Sequence, residues 1–265
     1  MTPADAALLA GLPGWAFAFV LLLARAGAAI MLIPGSGEAE VPAMVRAGFA
    51  VALTALLLPA LAPSMPAPPD AVGPLMYMVA AELLTGLFLG FLARLVVAAL
   101  PLAGQMLAVV SGHASVLQAD TVLGAQGAAI GRLLGLAAPV MVFATGLYAL
   151  PLAAIARSYA VIPAGSLLPA ADSAATVVAA VATLFALALR LAGPFVLASV
   201  IWNLVLALLS RLVPQLQVFF LATPAQLAGG LALFGLLGAA LLAAWHDAAT
   251  SAFGLLPGAA VGEPR

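Results

Sequence analysis

The sequence predicts an all-α, polytopic membrane protein, and three observations carry that prediction. Apolar residues make up 66% of the 265-residue chain and charged residues 6%, against roughly 25% charged in a soluble domain. So few polar groups cannot cover a water-facing surface. The apolar residues also come in runs close to the roughly 20 needed to cross hydrocarbon as a helix. Finally, these runs are continuous, whereas the strands of a membrane barrel alternate in polarity. A helix satisfies its own backbone hydrogen bonds in lipid and is therefore the default spanning element.

Taken in order, the first run covers Trp15 to Ile33, interrupted by Arg25 and stopped by Pro34-Gly35-Ser36-Gly37. Such Pro-Gly clusters punctuate helices. A second, short run from Ala47 to about Leu61 closes in a Pro-rich loop, Pro59 to Pro74. A third starts near Leu75, passes Leu95 and carries Glu82 and Arg94. Gly104 to Gln126 is the most polar interior stretch and is expected to form a bent or re-entrant loop. A fourth span is expected from Leu133 to Ile155. Ala174 to Leu209 is too long for one crossing, and Gly193-Pro194 is expected to divide it into two helices or a kinked pair. The last run covers Leu227 to Trp245, and a loose tail is expected beyond it. No polar linker divides the chain, so it is treated as a single membrane domain.

Charge excludes some functions. Net charge is −1 and lysine is absent, so no basic patch exists for nucleic acid. Cysteine is absent, which removes disulfides, thiolate metal sites and Cys nucleophiles. The start of the chain has Asp5 and no basic residue before Trp15, unlike a cleaved signal peptide. The arginines do not orient the chain. With six alternating spans, Arg46 and Arg211 fall on one side and Arg157 and Arg265 on the other, a tie under the positive-inside rule.

Ionisable groups inside spans are costly and mark function or pairing. Arg25, Glu82, Arg94, Arg132 and Arg190 are the candidates. Glu82 is expected to pair with an Arg of a neighbouring helix, because a proton relay recruits several acids and Glu82 is alone among the runs. Gly86 and Gly90, and the series Gly127, Gly131, Gly135, have the fourfold spacing that lets helix backbones approach. Catalytic patterns are thin. Ser111-Gly112-His113 with the distant His246 lacks an oxyanion hole and an orienting group, and no motif calls for a cofactor or a metal. Arg211-Leu-Val-Pro214 is expected to close a helix, since Pro214 bars continuation past Val213 and Arg211 suits the carbonyl end.

The segment Asn203-Leu-Val-Leu-Ala-Leu-Leu-Ser-Arg211-Leu-Val-Pro214-Gln215-Leu-Gln-Val-Phe219 resembles a signature of the FliR/SctT family of export-gate proteins. Other blocks agree in order: Val41-Pro42 through Arg46 to Gly48, Glu82 through Gly86 and Gly90 to Phe91, Gly104-Gln105 with Gly112 and Asp120, and Ser158-Tyr159 with Ile162-Pro163-Ala-Gly165. The resemblance implies a FliP-like part over about 1–170, a FliQ-like hairpin over 171–250 and a flexible tail over 251–265. It further implies a structural, non-catalytic subunit of the bacterial inner membrane and flagellar basal body, with FliP, FliQ and FlhB as partners, FlhA nearby and exported flagellar proteins as cargo. Such subunits form a helical assembly largely above the membrane plane. Asn203, Arg211, Pro214 and Gln215 would then be signature or subunit-contact residues. Gly104, Gly112, Ser115, Val116, Leu117 and Asp120 would belong to a pore loop. This loop has no aromatic over Ser115 to Gln118, leaving Val116 and Leu117 to fill a narrow pore, and Gln217 and Thr121 stand where the family has Asn and Pro.

The competing expectation is a small-molecule permease. It draws on Glu82 and on the interruption at Gly193-Pro194, since broken helices build transporter sites.

Overall fold

The structure is a computed structural model that describes residues 3–111, 129–212 and 218–259. Seven α-helices account for nearly all of them: α1 (Pro3–Ile30), α2 (Ala43–Leu61), α3 (Val72–Val110), α4 (Ala129–Ala144), α5 (Ala149–Val161), α6 (Ala170–Leu212) and α7 (Val218–Gly254). A single 3-10 turn, Ala62–Ser64, follows α2. There is no strand among the described residues. Five helices are long and apolar enough to cross a membrane, or up to six spans if α4 and α5 count together.

Several boundaries differ from the sequence expectation. The expected fourth span is two helices bent by 68°. Gly146 has φ +77°, a backbone state that costs glycine little and ends α4. Pro151 then lies in the first turn of α5, where a missing N–H breaks no helical bond. Conversely, α6 runs unbroken through Gly193-Pro194 over 43 residues, so the expected division into two helices does not occur. Pro is tolerated inside membrane helices where surroundings satisfy the freed carbonyl. Helix α3 continues through Gly104 and Gln105 to Val110, so the first part of the expected polar loop is helical. Its remainder, residues 112–126, lies outside the described residues. Helix α7 passes Trp245 to Gly254, and residues 255–259 turn against α5, where Arg157 Nη1 donates to the Ala259 carbonyl at 3.4 Å.

The chain divides into two compact units. The first comprises Met1–Leu95, Val142–Ala180 and Ala252–Arg265. Its core includes Leu21, Leu22, Ile30, Ile155 and Phe253, all at or below 1% exposure. Within it α1 buries one stripe, Phe17, Ala18, Leu21, Leu22, Arg25, Ala26 and Ala29. This is the three- and four-residue spacing of a helix face. Ser36 Oγ caps that helix by donating to the Ile30 carbonyl at 3.0 Å. The second unit comprises Val96–Met141 and Val181–Ser251, with Leu100, Leu107, Ala138, Ala192 and Phe195 buried in its core.

Candidate functional site

Among the described residues, the most extensive buried polar cluster lies in the first unit. Arg25 on α1 and Glu82 on α3 are both 0% exposed. Arg25 Nε donates to Glu82 Oε2 at 2.7 Å and Nη2 donates to Oε1 at 3.0 Å, a bidentate pair. Nη1 donates to Ser158 Oγ at 3.0 Å and to the Ile162 carbonyl at 3.1 Å, and Nη2 reaches the same carbonyl at 3.1 Å. A guanidinium carries five N–H donors, and this geometry uses them all. Glu82 also accepts from the Gly165 N–H at 2.7 Å and from the Tyr159 hydroxyl at 3.3 Å. The guanidinium carbon lies 3.8 Å from the centre of the Tyr159 ring. The Ser158 hydroxyl in turn donates a hydrogen bond to the Ile155 carbonyl at 2.7 Å.

This arrangement stabilises a contact and leaves little for chemistry. A buried ion pair is tolerable only when its remaining lone pairs and protons are also satisfied. Here both partners are saturated, so Glu82 has no free oxygen positioned to relay a proton. The pairing expected of Glu82 is present, and its Arg partner is Arg25. Tyr159 and Gly165 as further donors to Glu82, and Ser158 as an acceptor for Arg25, were not foreseen.

The helices reach this geometry because glycine lets them touch. A Cβ on Gly86 would collide with the Arg25 carbonyl oxygen, and one on Gly90 would lie 2.6 Å from the Ala29 carbonyl oxygen. The fourfold spacing of Gly86 and Gly90 thus brings α1 against α3 one turn from Glu82. In the second unit a Cβ on Gly104 would lie 2.7 Å from the Gly131 Cα, and one on Gly131 would strike the Gln105 side chain. Gly104 is therefore a helix-crossing residue between α3 and α4. Gly127, the first member of the expected ladder, lies outside the described residues.

Comparison with known proteins covers nearly the whole of this architecture. Residues 16–252 match the family described as Bacterial export proteins, family 1. The chain belongs to that family. It is 32% identical over 227 residues to the flagellar biosynthetic protein FliR of Caulobacter vibrioides, covering 86% of this chain and 90% of that one. It is 29% identical over 216 residues to the protein of the same name from Bacillus subtilis, covering 80% and 82%.

In this export-family chain the other polar candidates are peripheral. Arg94 is 43% exposed and sits 3.5 Å from Glu38, with a 3.3 Å bond to the Gly37 carbonyl. Arg132 and Arg190 are exposed on α4 and α6. Asn203 is exposed and donates to its own helix at the Ser199 carbonyl, 2.8 Å away. Arg211 is exposed in the last turn of α6, which ends at Leu212 ahead of Pro214. Gly112, Ser115, Val116, Leu117, Asp120, Pro214 and Gln215 lie outside the described residues.

Sequence reading also missed a cavity of about 250 Å³ in the second unit, lined by Val110, Phe195, Trp202, Gln226 and Leu233 among others. Gln226 Nε2 closes one side by donating to the Val110 carbonyl at 3.3 Å. Ser111, another lining residue, donates to the Leu107 carbonyl at 2.6 Å.

Proposed function

We propose that the chain is a structural subunit of the type III protein export gate of the bacterial flagellum, required for export of flagellar subunits and for flagellum assembly. The observation that carries this reading is the match to two flagellar FliR proteins along about four-fifths or more of each chain. Helix dimensions support it independently. At 1.5 Å per residue, α3, α6 and α7 would be about 59, 65 and 56 Å long if straight, against a hydrocarbon core of about 30 Å. Yet α6 and α7 each carry a long apolar stretch, and only 22% and 6% of their most apolar windows are buried within the chain. About half of each helix must therefore find cover outside lipid. Arg190 stands exposed near the middle of α6, where lipid contact would cost about 2.5–3.5 kcal/mol. Neighbouring protein subunits satisfy both requirements.

In this reading the role is non-catalytic. The FliP-like part over about 1–170 and the FliQ-like hairpin formed by α6 and α7 pack against FliP and FliQ, with FlhB around the gate and FlhA nearby. The assembly sits in the inner membrane at the flagellar basal body, and unfolded flagellar proteins pass through it. The stretch from Gly104 to Gln126, helical in its first part, helps to close its pore. The permease alternative loses its support, because α6 is continuous at Gly193-Pro194 and Glu82 is fully engaged.

Deleting the gene and assaying secreted hook and filament proteins tests the reading. Export should stop and return with the intact gene, and tagged chain should purify with FliP and FliQ. Normal secretion from the deletion strain would refute the proposal.

A further inference from the structure

The helices α3, α6 and α7 exceed the bilayer, and α1, with 28 residues, is also longer than one crossing needs, but α2 fits it. Helix α2 with its 3-10 turn, Ala43–Ser64, has 22 residues. This corresponds to about 33 Å of helix, close to the roughly 30 Å of the hydrocarbon core. Residues 31–42 return α2 beside α1, with Gly27 facing Ala50 near the connection and the 3-10 turn touching α1.

Only one stripe of α2 is covered. Ala50 and Thr54 are buried, and Arg46, Leu53, Leu57, Leu58 and Leu61 are half-buried at helical spacing. The Thr54 hydroxyl is spent on its own helix, at the Ala50 carbonyl 2.8 Å away. The remaining surface is apolar along the full length of α2, including Met44 at 84% and Leu56 at 75% exposure. No charged residue occurs in α2 apart from Arg46.

Arg46 is the second observation. Among the described residues it has no ion pair, and its Nε is buried without a hydrogen-bond partner. It lies in the first turns of α2, where the helix dipole disfavours a cation. The group that completes it must be an acceptor and an anion. Trp15, 48% exposed, lies toward the other end of the hairpin on α1, and indoles concentrate at membrane–water interfaces.

We infer that the outer face of α2 is covered by phospholipid, with the Arg46 guanidinium on a lipid phosphate at one edge of the bilayer and Trp15 at the opposite edge. A partner helix would also cover apolar surface, but it imposes no reason for α2 to equal the hydrocarbon thickness or for the unpaired cation to stand at its end. Helix α2 is then the element that fixes the depth of the first unit in the membrane.

The chain lacks cysteine, so single-Cys variants can be spin-labelled directly. Leu56→Cys, with Val51→Cys as a second exposed position, is purified with its native partners. The preparation is placed in vesicles of phosphatidylethanolamine and phosphatidylglycerol. Collision with oxygen should exceed collision with a water-soluble nickel chelate severalfold at both positions. A label shielded from both reagents means a protein cover, and one open to nickel means water; either overturns the inference. Arg46→Gln should lower the phosphatidylglycerol retained after detergent washing severalfold, while Arg46→Lys retains it. Equal retention by wild type and Arg46→Gln overturns the phosphate contact. A protein-covered label would leave the export-gate reading standing, because that reading is tested by secretion and not by lipid.

Discussion

The Arg25 guanidinium and the Glu82 carboxylate, far apart in sequence, meet through hydrogen bonds of 2.7 and 3.0 Å with neither side chain exposed. Around them α1, α3, α5 and the connection that follows α5 converge. The pair is therefore a clasp on the first unit. Its energetic weight lies less in its own attraction than in what breaking it leaves behind.

Removing one partner strands a buried charge, at a cost of about 3–5 kcal/mol. Glu82→Gln and Arg25→Ala should each lower the thermal midpoint of the detergent-purified chain by many degrees. Arg25→Met combined with Glu82→Leu should recover part of the loss, since it removes both charges. Recovery stays incomplete because the Ile162 carbonyl and the Gly165 N–H lose their partners. Midpoints for the single variants that match wild type would show that the clasp contributes nothing.

Gly86→Val should be as damaging as breaking the pair, because its Cβ would occupy the position of the Arg25 carbonyl oxygen. Gly193→Ala is the control. A Cβ there meets nothing within 4 Å, and Ala in a helix interior is favoured over Gly by about 0.8–1.0 kcal/mol. Thermal unfolding of the two variants should move in opposite directions, and a stable Gly86→Val protein would contradict the close crossing.

How much of this could be read in the sequence depends on distance along the chain. Glu82 was legible as a paired acid because a lone carboxylate among apolar residues is too costly to leave unmatched. Arg25 as its partner was not, since nothing local links residues separated by that much chain. The ligands Ser158, Tyr159 and Gly165 did carry a signal. They stand together in one family-like block, but their chemistry becomes visible only when α5 folds back on α1. The bend between α4 and α5 was readable from Gly146 followed by Pro151, and continuous hydropathy masked it. At Gly193-Pro194 the helix continues, so of the two outcomes expected there the division into separate helices does not occur, because a long membrane helix absorbs a proline that local propensity marks as a break.

Arg211→Ala should leave the isolated chain nearly unchanged. An exposed cation in the last turn of α6 contributes about 0.3–1 kcal/mol. Its effect should appear in assembly, as a severalfold drop in FliP and FliQ recovered with the tagged chain. Pro214→Ala should behave alike. Full recovery of the complex by both variants would remove these residues from the subunit contact.

Deleting Ser115 to Asp120 should make cells or reconstituted vesicles leak ions through the assembled gate. Conductance is the readout, measured with the whole complex in planar bilayers. A deletion complex as tight as wild type would take this stretch out of the seal.

Helix α6 is one continuous, largely apolar helix of 43 residues. No one solvent suits it: lipid is too thin to hold its full length, and water tolerates neither half. A newly made copy without companions is thus stranded between two media, prone to clumping and to proteolytic removal. If the chain is the gate subunit proposed above, maturation and recruitment into the larger particle become one coupled event, and the supply of sister subunits sets how much of this polypeptide a cell can keep.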